Sequence, residues 1–432
     1  MQRRDYRGFE LMNETDCRAA RSPDRQDFAI LNRPYLMVTF IPVYKDEDGG
    51  LWLEHSWHHD LTQHLNYLTD FRLCAPVLPK DNQPGLVRLD LPQDGRLRVL
   101  PLPAQSSKLA ALRSLPKVVS ALWRAIGDAE LVHCGVIGWP YPLGWIANPI
   151  AVLRGKALLV VIESSWLRNN PEPKEPWRFA LLNAVSNSVA HWSCKHADVA
   201  FYTHSAYRDT LHVGDPATGY VTPAIWINDE DILDDVAARR LWSRKVSEPV
   251  RLLLAGRLIA DKGIDVLLAA LRLLEQRGVK VQVDIIGVGE RRNACLKAAE
   301  ELRAVSLSVL DPVSYGEAFF KLVQRYHAVL IPNLTDEQPR ILFDASAQAV
   351  PAIASDTAGL RPHIVHDRSG WLVPPGDPTA LATAIERASS QAPKLGMMGM
   401  GALSSVRGNS HAEMHRLRSH ILVKHFGSGA VG

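Results

Sequence analysis

The chain of 432 residues is too long for one compact core, because single hydrophobic cores rarely grow beyond about 250 to 300 residues. Hydrophobic residues make up 47% and charged residues 22% of the sequence, as in globular proteins. The net charge of +3 is small for this length and does not argue for a nucleic-acid partner, so a basic partner surface would have to be local. We therefore predict two domains.

The first 34 residues carry charges throughout and contain no apolar run of signal-peptide or membrane-span length. We predict that residues 1–34 form a disordered arm. The 5 cysteines include no C-x-x-C pair, and their scatter favours free thiols in a reducing compartment over a disulfide framework. The protein is therefore expected to be cytoplasmic.

Short apolar runs alternate with longer helical patterns from Tyr35 to about Ala224, which is typical of a parallel sheet covered by helices. We assign residues 35–227 to an N-terminal Rossmann-like domain. The predicted strands are "YLMVTFI", "RLCAPV", "LRVLPL", "ELVHC", "ALLVVIE" and "ADVAFY".

The stretch from Asn228 to Pro249 is polar, with an acidic half followed by a basic half, and we predict that residues 228–249 form a linker. Strand and helix patterns resume at "VRLLLAG" and predict a second domain over residues 250–390. Two doubly wound domains in tandem would face each other across a cleft with the carboxyl ends of their strands. The predicted fold class is therefore α/β with two Rossmann-like domains.

The tail over residues 391–432 begins rich in glycine and ends in a basic helical pattern. Met414, Leu417 and Ile421 share one face of that helix. We predict that the helix packs back on the protein. The alternative is a helix on a membrane surface, which would give a peripheral contact at the inner membrane face.

Two cations follow a buried strand in "LLLAGRLIADKGIDVLLAAL", where the strand ends at Gly256 and Arg257 and Lys262 precede an apolar helix. A guanidinium offers a fork of donors and an ammonium offers a mobile charge, so the pair suits a diphosphate. The alternative is a pair of solvated loop cations.

Gly287 and Gly289 in "DIIGVGERR" also lie between a strand and a helix. The third glycine of a dinucleotide fingerprint is missing, which disfavours a nicotinamide cofactor. Glycines at these positions would let the backbone approach a nucleotide closely.

Two acids stand eight positions apart in "DEQPRILFDASAQAVPAIASDTAG", with a predicted helix start between them. Free backbone N–H groups near Arg340 would form an anion site in the same crevice as Arg257 and Lys262. Asp336 could accept hydrogen bonds from sugar hydroxyls, and Asp344 would face a neighbouring part of the pocket. The alternatives are a helix cap for Asp336 and a solvated helix residue for Asp344.

His55 and His59 in "HSWHH" could share a helix face and suggest a metal. No glutamate completes an HExxH motif, so we favour a partly exposed helix face and predict no metal.

Several linked motifs mark the region from Arg251 to Ala388, about a third of the chain: "AGRLIADKGIDVLLAAL", "DIIGVGE", "SYGEAFFKLVQRYHAVLIPN" and the segment that begins "DEQPRILFDASAQAVPAIAS". In this order they resemble the donor domain of the family 4 retaining glycosyltransferases, which have the GT-B fold. In the N-terminal half the resemblance rests on fewer motifs. They are the loop of Gly49 and Gly50 and "AELVHCGVIGWP", in which His133 is the one remaining histidine of an Asp-x-x-His-x-His segment.

By this resemblance Arg257 and Lys262 would hold the donor diphosphate, and Asp336 and Asp344 would stand at the two acids of a Glu-x7-Glu motif. Asp336 would contact the sugar and Asp344 the ribose. Both are aspartate here, shorter by one methylene than the glutamates of the family. The resemblance places Gly49 and Gly50 at the acceptor or diphosphate, and His133 with the catalytic residues. The other predicted donor-binding residues are Gly256, Gly287, Gly289, Gln338, Pro339, Arg340 and Ile341.

The predicted function is a retaining glycosyltransferase that moves a sugar from a nucleoside-diphosphate sugar to an acceptor hydroxyl of a glycan, lipid or small molecule. No metal and no cofactor besides the donor is expected. The resemblance suggests polysaccharide, glycolipid or glycoconjugate biosynthesis. The alternatives are an epimerase of the same architecture and a non-catalytic sugar-nucleotide-binding subunit.

Overall fold

The computed structural model describes residues 27–80, 85–103, 107–138, 141–163 and 177–427. Most of the predicted arm, residues 1–26, lies outside the described residues, as does Cys17. The first strand begins at Leu31, which is four residues before the predicted domain start at Tyr35. Leu31 is buried and opens the pairing with the strand that begins at Leu68, so residues 31–34 belong to the sheet.

The N-terminal domain alternates strands and helices. Its elements are β1 (Leu31–Val38), β2 (Val43–Lys45), β3 (Leu51–Glu54), α1 (His55–His64), β4 (Leu68–Pro79), β5 (Leu86–Arg88), β6 (Leu97–Leu102), α2 (Lys108–Gly127), β7 (Leu131–Gly135), α3 (Gly144–Leu153), β8 (Ala157–Ile162), α4 (Trp177–Lys195), β9 (Val199–Tyr202), α5 (Ser205–Leu211) and β10 (Gly219–Val221).

The main sheet of this domain runs in the order β6-β4-β1-β7-β8-β9-β10, with every pair parallel. The six predicted strands all lie in it. A feature absent from the predictions is the antiparallel trio β2, β3 and β5, which continues from the C-terminal extension of β4 through Val43↔Val77. These strands have three or four residues each, too short for a clear alternating pattern.

The C-terminal domain begins with a helix and follows the same alternation. Its elements are α6 (Asp235–Lys245), β11 (Arg251–Ala255), α7 (Ile264–Gln276), β12 (Val281–Ile286), α8 (Arg292–Glu301), β13 (Val305–Leu310), α9 (Glu317–Val323), β14 (Ala328–Ile331), α10 (Ile341–Ala347), β15 (Ala352–Ser355), β16 (Gly370–Val373), α11 (Pro378–Ser389), α12 (Ala392–Val406) and α13 (His411–Phe426).

The six-stranded sheet of this domain has the order β13-β12-β11-β14-β15-β16 and is parallel throughout. The chain reverses its winding direction between β11 and β14. In open α/β sheets ligands bind at such a switch point, outside the carboxyl ends of the strands. The loops that follow β11 and β14 are therefore the natural place for a ligand in this domain.

The predicted linker contains a packed helix. In α6, Ala238 and Trp242 are buried in the core of the C-terminal domain, and Trp242 donates a hydrogen bond from Nε1 to the carbonyl oxygen of Ala349 over 2.7 Å. Asp234 caps the helix by accepting from the amide of Ala237. The linker prediction is therefore wrong for residues 235–245, whose polar composition conceals one apolar face.

The last two helices pack on different domains. Residues of α12 such as Leu395 and Met398 join the core of the C-terminal domain. In contrast, α13 crosses to the N-terminal domain, where Ile421 and Leu422 join its core and Tyr220 hydrogen-bonds His425 over 2.7 Å. No helix in the described residues combines the length and apolar character needed to cross a membrane.

The packing of α6 predicts a stability effect. We expect Trp242→Ala to lower the free energy of unfolding by about 3 to 5 kcal/mol, because it empties a core position and removes a buried hydrogen bond. Trp123→Ala is the control, since Trp123 is 46% exposed and its loss should cost less than about 1 kcal/mol. Equal midpoints in urea unfolding for the two variants would contradict the assignment of α6 to the core.

Candidate functional site

The loops after β11 and β14 touch at the carboxyl edge of the C-terminal sheet. The amide of Leu334 donates to the carbonyl oxygen of Asp261 over 2.9 Å. Gly263 has a φ of 70°, and a Cβ there would lie 1.8 Å from the carbonyl oxygen of Pro332. Only glycine permits this approach, so residues 256–263 and 332–337 form the two sides of one site.

Arg257 and Lys262 lie on the first side of the site but differ in their surroundings. Arg257 is exposed one residue beyond Gly256, and its guanidinium has no ion-pair partner within the described ranges. Lys262 is partly buried, and its Nζ lies 2.6 Å from Oε2 of Glu337 on the opposite side. Arg257 is thus free to meet an anion, whereas Lys262 already holds one.

Glu337 is not among the predicted site residues. The side chains of Lys262 and Glu337 are 17% and 27% exposed, so water screens the pair only partly. The one signal in the sequence is the second acid in "DEQPR". Local sequence could not reveal its partner, because the two residues are 75 positions apart.

Asp336 is held by the loop that follows β15. Its Oδ1 accepts a hydrogen bond from the amide of Ala358 over 2.9 Å. The neighbouring Gly359 leaves no room for a side chain, since a Cβ would lie 2.4 Å from the carbonyl oxygen of Asp336. The carboxylate therefore binds a neighbouring loop rather than capping its own helix.

His204, which follows β9 of the N-terminal domain, lies close to Asp336 and is also absent from the predictions. Burial lowers the pKa of His204, and the negative charge of Asp336 offsets part of that effect. This contact brings the carboxyl edges of the two sheets together. His204 is 1% exposed, so it is buried where the two domains meet.

Gln338 bridges the domains through its whole amide group. Its Oε1 accepts from the amide of Ala224 over 2.8 Å, and its Nε2 donates to the carbonyl oxygen of Thr203 and to Nε2 of His363. Burial, followed by the charge of His204, lowers the pKa of His363 to about 4, so that ring is a neutral acceptor at pH 7. Gln338 is predicted to contact the donor, but both its amide oxygen and its amide nitrogen are hydrogen-bonded within the protein.

Two backbone N–H groups at the N-terminus of α10 have no hydrogen-bond partner within the described residues. The N–H groups of Leu342, Phe343 and Asp344 bond the carbonyl oxygens of Pro339 and Arg340. The N–H groups of Arg340 and Ile341 have no hydrogen-bond partner in the part of the chain that the structure describes. These two donors lie on the same loop as Asp336 and Glu337, as the predicted anion site requires.

Arg340 and Asp344 belong to a cluster that also contains the aromatic rings of Trp226 and Tyr315. The guanidinium of Arg340 lies 4.7 Å from the ring centre of Trp226 and 4.8 Å from that of Tyr315. Tyr315 donates from its hydroxyl to Oδ1 of Asp344 over 2.9 Å. Asp344 is 4% exposed, so its alternative interpretation as a solvated helix residue is wrong. Burial raises the pKa of its carboxyl to about 6, against the opposing effect of Arg340.

Two of the predicted donor-binding glycines, Gly287 and Gly289, lie where close backbone contacts leave no space for a side chain. Cβ atoms at Gly287 and Gly289 would lie 1.9 Å from the carbonyl oxygen of Gly256 and 2.3 Å from that of Leu258. Their φ angles of 153° and 152° also favour glycine. The missing side chains of Gly287 and Gly289 let the loops after β11 and β12 lie against each other behind Arg257, whereas a Cβ at Gly256 would meet no neighbouring atom and only its φ of 155° favours glycine.

The predicted residues of the N-terminal half lie in two other places. His133 is inside β7, where its Nδ1 hydrogen-bonds the hydroxyl of Tyr35 over 2.8 Å and burial holds its pKa well below the usual range. Gly49 and Gly50 lie in the hairpin between β2 and β3 and line a groove of about 750 Å³ with Lys45. No described hydrogen bond or ion pair joins either place to the donor-side loops.

Two parallel-sheet domains that face each other with their carboxyl edges define the GT-B class of glycosyltransferase folds. Solved structures agree. Sucrose-phosphate synthase from Thermosynechococcus elongatus superposes with a TM-score of 0.66 at 17% identity, over 91% of this chain and 98% of that one. HepE from Anabaena in complex with UDP-glucose has a TM-score of 0.61 at 14% identity, over 91% of this chain and 100% of that one.

The sequence comparisons identify the family. The profile of the glycosyl transferases group 1 matches residues 249–391. The amylovoran biosynthesis glycosyltransferase AmsK of Erwinia amylovora is 30% identical over 73% of this chain and 72% of its own length. The alpha-D-kanosaminyltransferase of Streptomyces kanamyceticus is 26% identical over 73% and 83%. The chain belongs to the group 1 glycosyltransferases.

The buried Asp344 predicts a pH-dependent stability. Its pKa is raised in the folded protein to about 6 from 3.8, so its favourable contribution is complete below about pH 4 and is lost as the pH rises through about 6. The stability of the wild type relative to Asp344→Asn should therefore fall by up to about 3 kcal/mol between pH 4 and pH 7. Urea unfolding measures it, with the exposed Asp311→Asn as the control substitution. A constant difference would contradict the shift.

Proposed function

We propose that the chain transfers a sugar from a nucleoside-diphosphate sugar to an acceptor hydroxyl and retains the anomeric configuration. The supporting observation is the meeting of Arg257, Lys262, Asp336 and the free amides of Arg340 and Ile341 in two touching loops at the sheet's switch point. These groups suit the diphosphate and the sugar hydroxyls of one ligand. Membership of the group 1 glycosyltransferases supports the reaction class.

Departure of the diphosphate is the step that the cations would assist. Negative charge develops on the leaving oxygen as the glycosidic bond breaks, and positive character develops on the sugar ring. Arg257, Lys262 and the two amides would stabilise this charge without reorganising, which is often the largest contribution to catalysis. This scheme assigns the role of a metal to protein groups, so we propose that transfer is metal-independent.

Glu337 would compete with the donor diphosphate for Lys262. Before the nucleotide arrives, Lys262 is paired with Glu337 over 2.6 Å. A diphosphate carries more negative charge than one carboxylate and can displace it, but the displaced Glu337 remains close to the phosphates. The site would therefore bind the nucleotide less tightly than its cations alone predict.

The acids would recognise the rest of the donor. Asp336, fixed by the amide of Ala358, would accept hydrogen bonds from the sugar. Asp344, which already binds Tyr315, would contact the ribose. The acceptor would lie on the N-terminal side, where Gly49 and Gly50 line a groove. His133 keeps its predicted place among the catalytic residues in this proposal.

The names of the relatives support a class of product. AmsK acts in amylovoran biosynthesis, and a second relative is a putative colanic acid biosynthesis glycosyltransferase of Escherichia coli. HepE binds UDP and UDP-glucose. We therefore propose a role in polysaccharide or glycoconjugate assembly, with uridine diphosphate as the first nucleotide to test.

A transfer assay with a panel of nucleoside-diphosphate sugars tests the reaction. Release of the nucleoside diphosphate that depends on an acceptor, in buffer with EDTA, is the expected result. Isomerisation of the donor without an acceptor would indicate an epimerase. Donor binding with no turnover across a broad panel of acceptors would indicate a binding subunit, and either result would overturn the proposal.

The two cations give a binding prediction. Arg257→Ala and Lys262→Ala should each weaken UDP binding roughly ten-fold or more in calorimetric titration, because each loses a charge-assisted contact. Lys262→Ala also leaves Glu337 unpaired beside the phosphates. The control is Lys297→Ala on α8, an exposed lysine of the same domain. Unchanged affinity with an intact fold would remove the mutated residue from the site.

Glu337 gives a prediction of opposite sign. Glu337→Gln should tighten UDP binding by roughly two- to five-fold, since it removes a competing carboxylate from a partly exposed ion pair. Glu386→Gln, which breaks a surface pair with Arg277, is the matched control and should have no effect. Weaker UDP binding by Glu337→Gln would show that the carboxylate contacts the nucleotide instead of opposing its binding.

A further inference from the structure

A second cluster of polar side chains lies in the N-terminal domain, where α13 crosses α1. Asp60 and His64 stand one turn apart on α1, and His411 and His415 stand one turn apart on α13. All four side chains are buried, the two histidines of α13 completely. None of them is used by the proposed transfer reaction.

Three of the four residues direct one atom each to a common point. Oδ1 of Asp60 lies 3.0 Å from Nε2 of His411 and 3.1 Å from Nε2 of His415. The two Nε2 atoms are 3.2 Å apart. A tetrahedral zinc ion with bonds of about 2.0 to 2.1 Å separates its ligand atoms by about 3.3 Å. The triangle therefore needs to widen only slightly to form one face of such a site.

His64 can supply the fourth ligand. Asp60, His64 and His415 each offer a ligand atom within 4.8 Å of the others. Nδ1 of His64 lies 3.6 Å from Oδ2 of Asp60 and 3.0 Å from its carbonyl oxygen, so this nitrogen is the one that faces the carboxylate. On the opposite side of the cluster, the hydroxyl of Tyr67 contacts Nδ1 of His415 over 3.2 Å and orients that ring.

Hydrogen bonds alone account poorly for this triangle. If Asp60 accepts from both rings, the two Nε2–H groups lie side by side at 3.2 Å and repel each other. If only one ring donates, the other nitrogen directs a lone pair at the carboxylate. A cation among the three atoms removes both conflicts, because each atom then offers a lone pair to the metal.

We propose that Asp60, His64, His411 and His415 form a structural site for Zn²⁺ or a similar divalent transition metal. Imidazole nitrogens with one carboxylate suit this class of ion rather than Ca²⁺ or Mg²⁺, which prefer oxygen. The ion fastens the last helix to the first helix of the N-terminal domain. The site is independent of the donor loops, and it differs from the pair His55 and His59, of which His55 is exposed.

The experiment uses the whole 432-residue chain without a polyhistidine tag. After removal of metal with a chelator and exhaustive dialysis, Zn²⁺ should bind with a stoichiometry of one and raise the melting temperature. Co²⁺ in place of Zn²⁺ should give the visible absorption of a tetrahedral complex. His411→Gln and Asp60→Asn should each weaken Zn²⁺ binding by roughly 100-fold or more, whereas His55→Gln on the same helix α1 should not.

The outcomes separate this proposal from the transfer reaction. Stoichiometric Zn²⁺ binding by the wild type that His411→Gln abolishes supports the site, whatever the result of the sugar-transfer assay. No bound metal, no change in melting temperature and no Co²⁺ spectrum in the folded wild type overturn it and leave a hydrogen-bonded network. Because the Co²⁺ spectrum is measured on the wild type, the test remains decisive even if a variant fails to fold.

Discussion

The close contact between the loops after β11 and β14 determines the chemistry of the donor side. Gly263 lies against the carbonyl oxygen of Pro332 with no space for a side chain. This approach places Lys262 opposite Glu337 and sets Arg257 and Asp336 on the two sides of one site. A larger residue at position 263 would push the loops apart, so a single backbone contact positions both cations and both acids.

The N-terminal domain takes part in the geometry of the donor loop. Gln338 accepts from Ala224 and donates to Thr203, and Arg340 lies over the ring of Trp226. Any opening of the cleft must break these contacts, because they join the head of α10 to the opposite domain. Closure and assembly of the site are therefore coupled, as in enzymes whose domains close around a ligand.

The sequence predicts the parallel strands well, because buried strands are continuous apolar runs between loops and helices. It fails where the signal is short or mixed, as in β2 and β3, and where an apolar face is hidden among charges, as with Ala238 and Trp242 in α6. Asp336 and Lys262 could be predicted from their places after strands. The pairing of Lys262 with Glu337 could not, since only the folded chain joins residues 75 positions apart.

The contacts between residues distant in sequence are longest-range in the last helix, α13. Asp60 meets His411 across 351 positions, and the two residues come from opposite ends of the chain. A buried carboxylate is costly unless several groups compensate it, and here two histidines of α13 join His64 of α1 around Asp60. The N-terminal domain is thus incomplete until the final helix has docked. Because that helix starts from the C-terminal domain, the same contact that balances Asp60 also ties the two domains together behind the cleft.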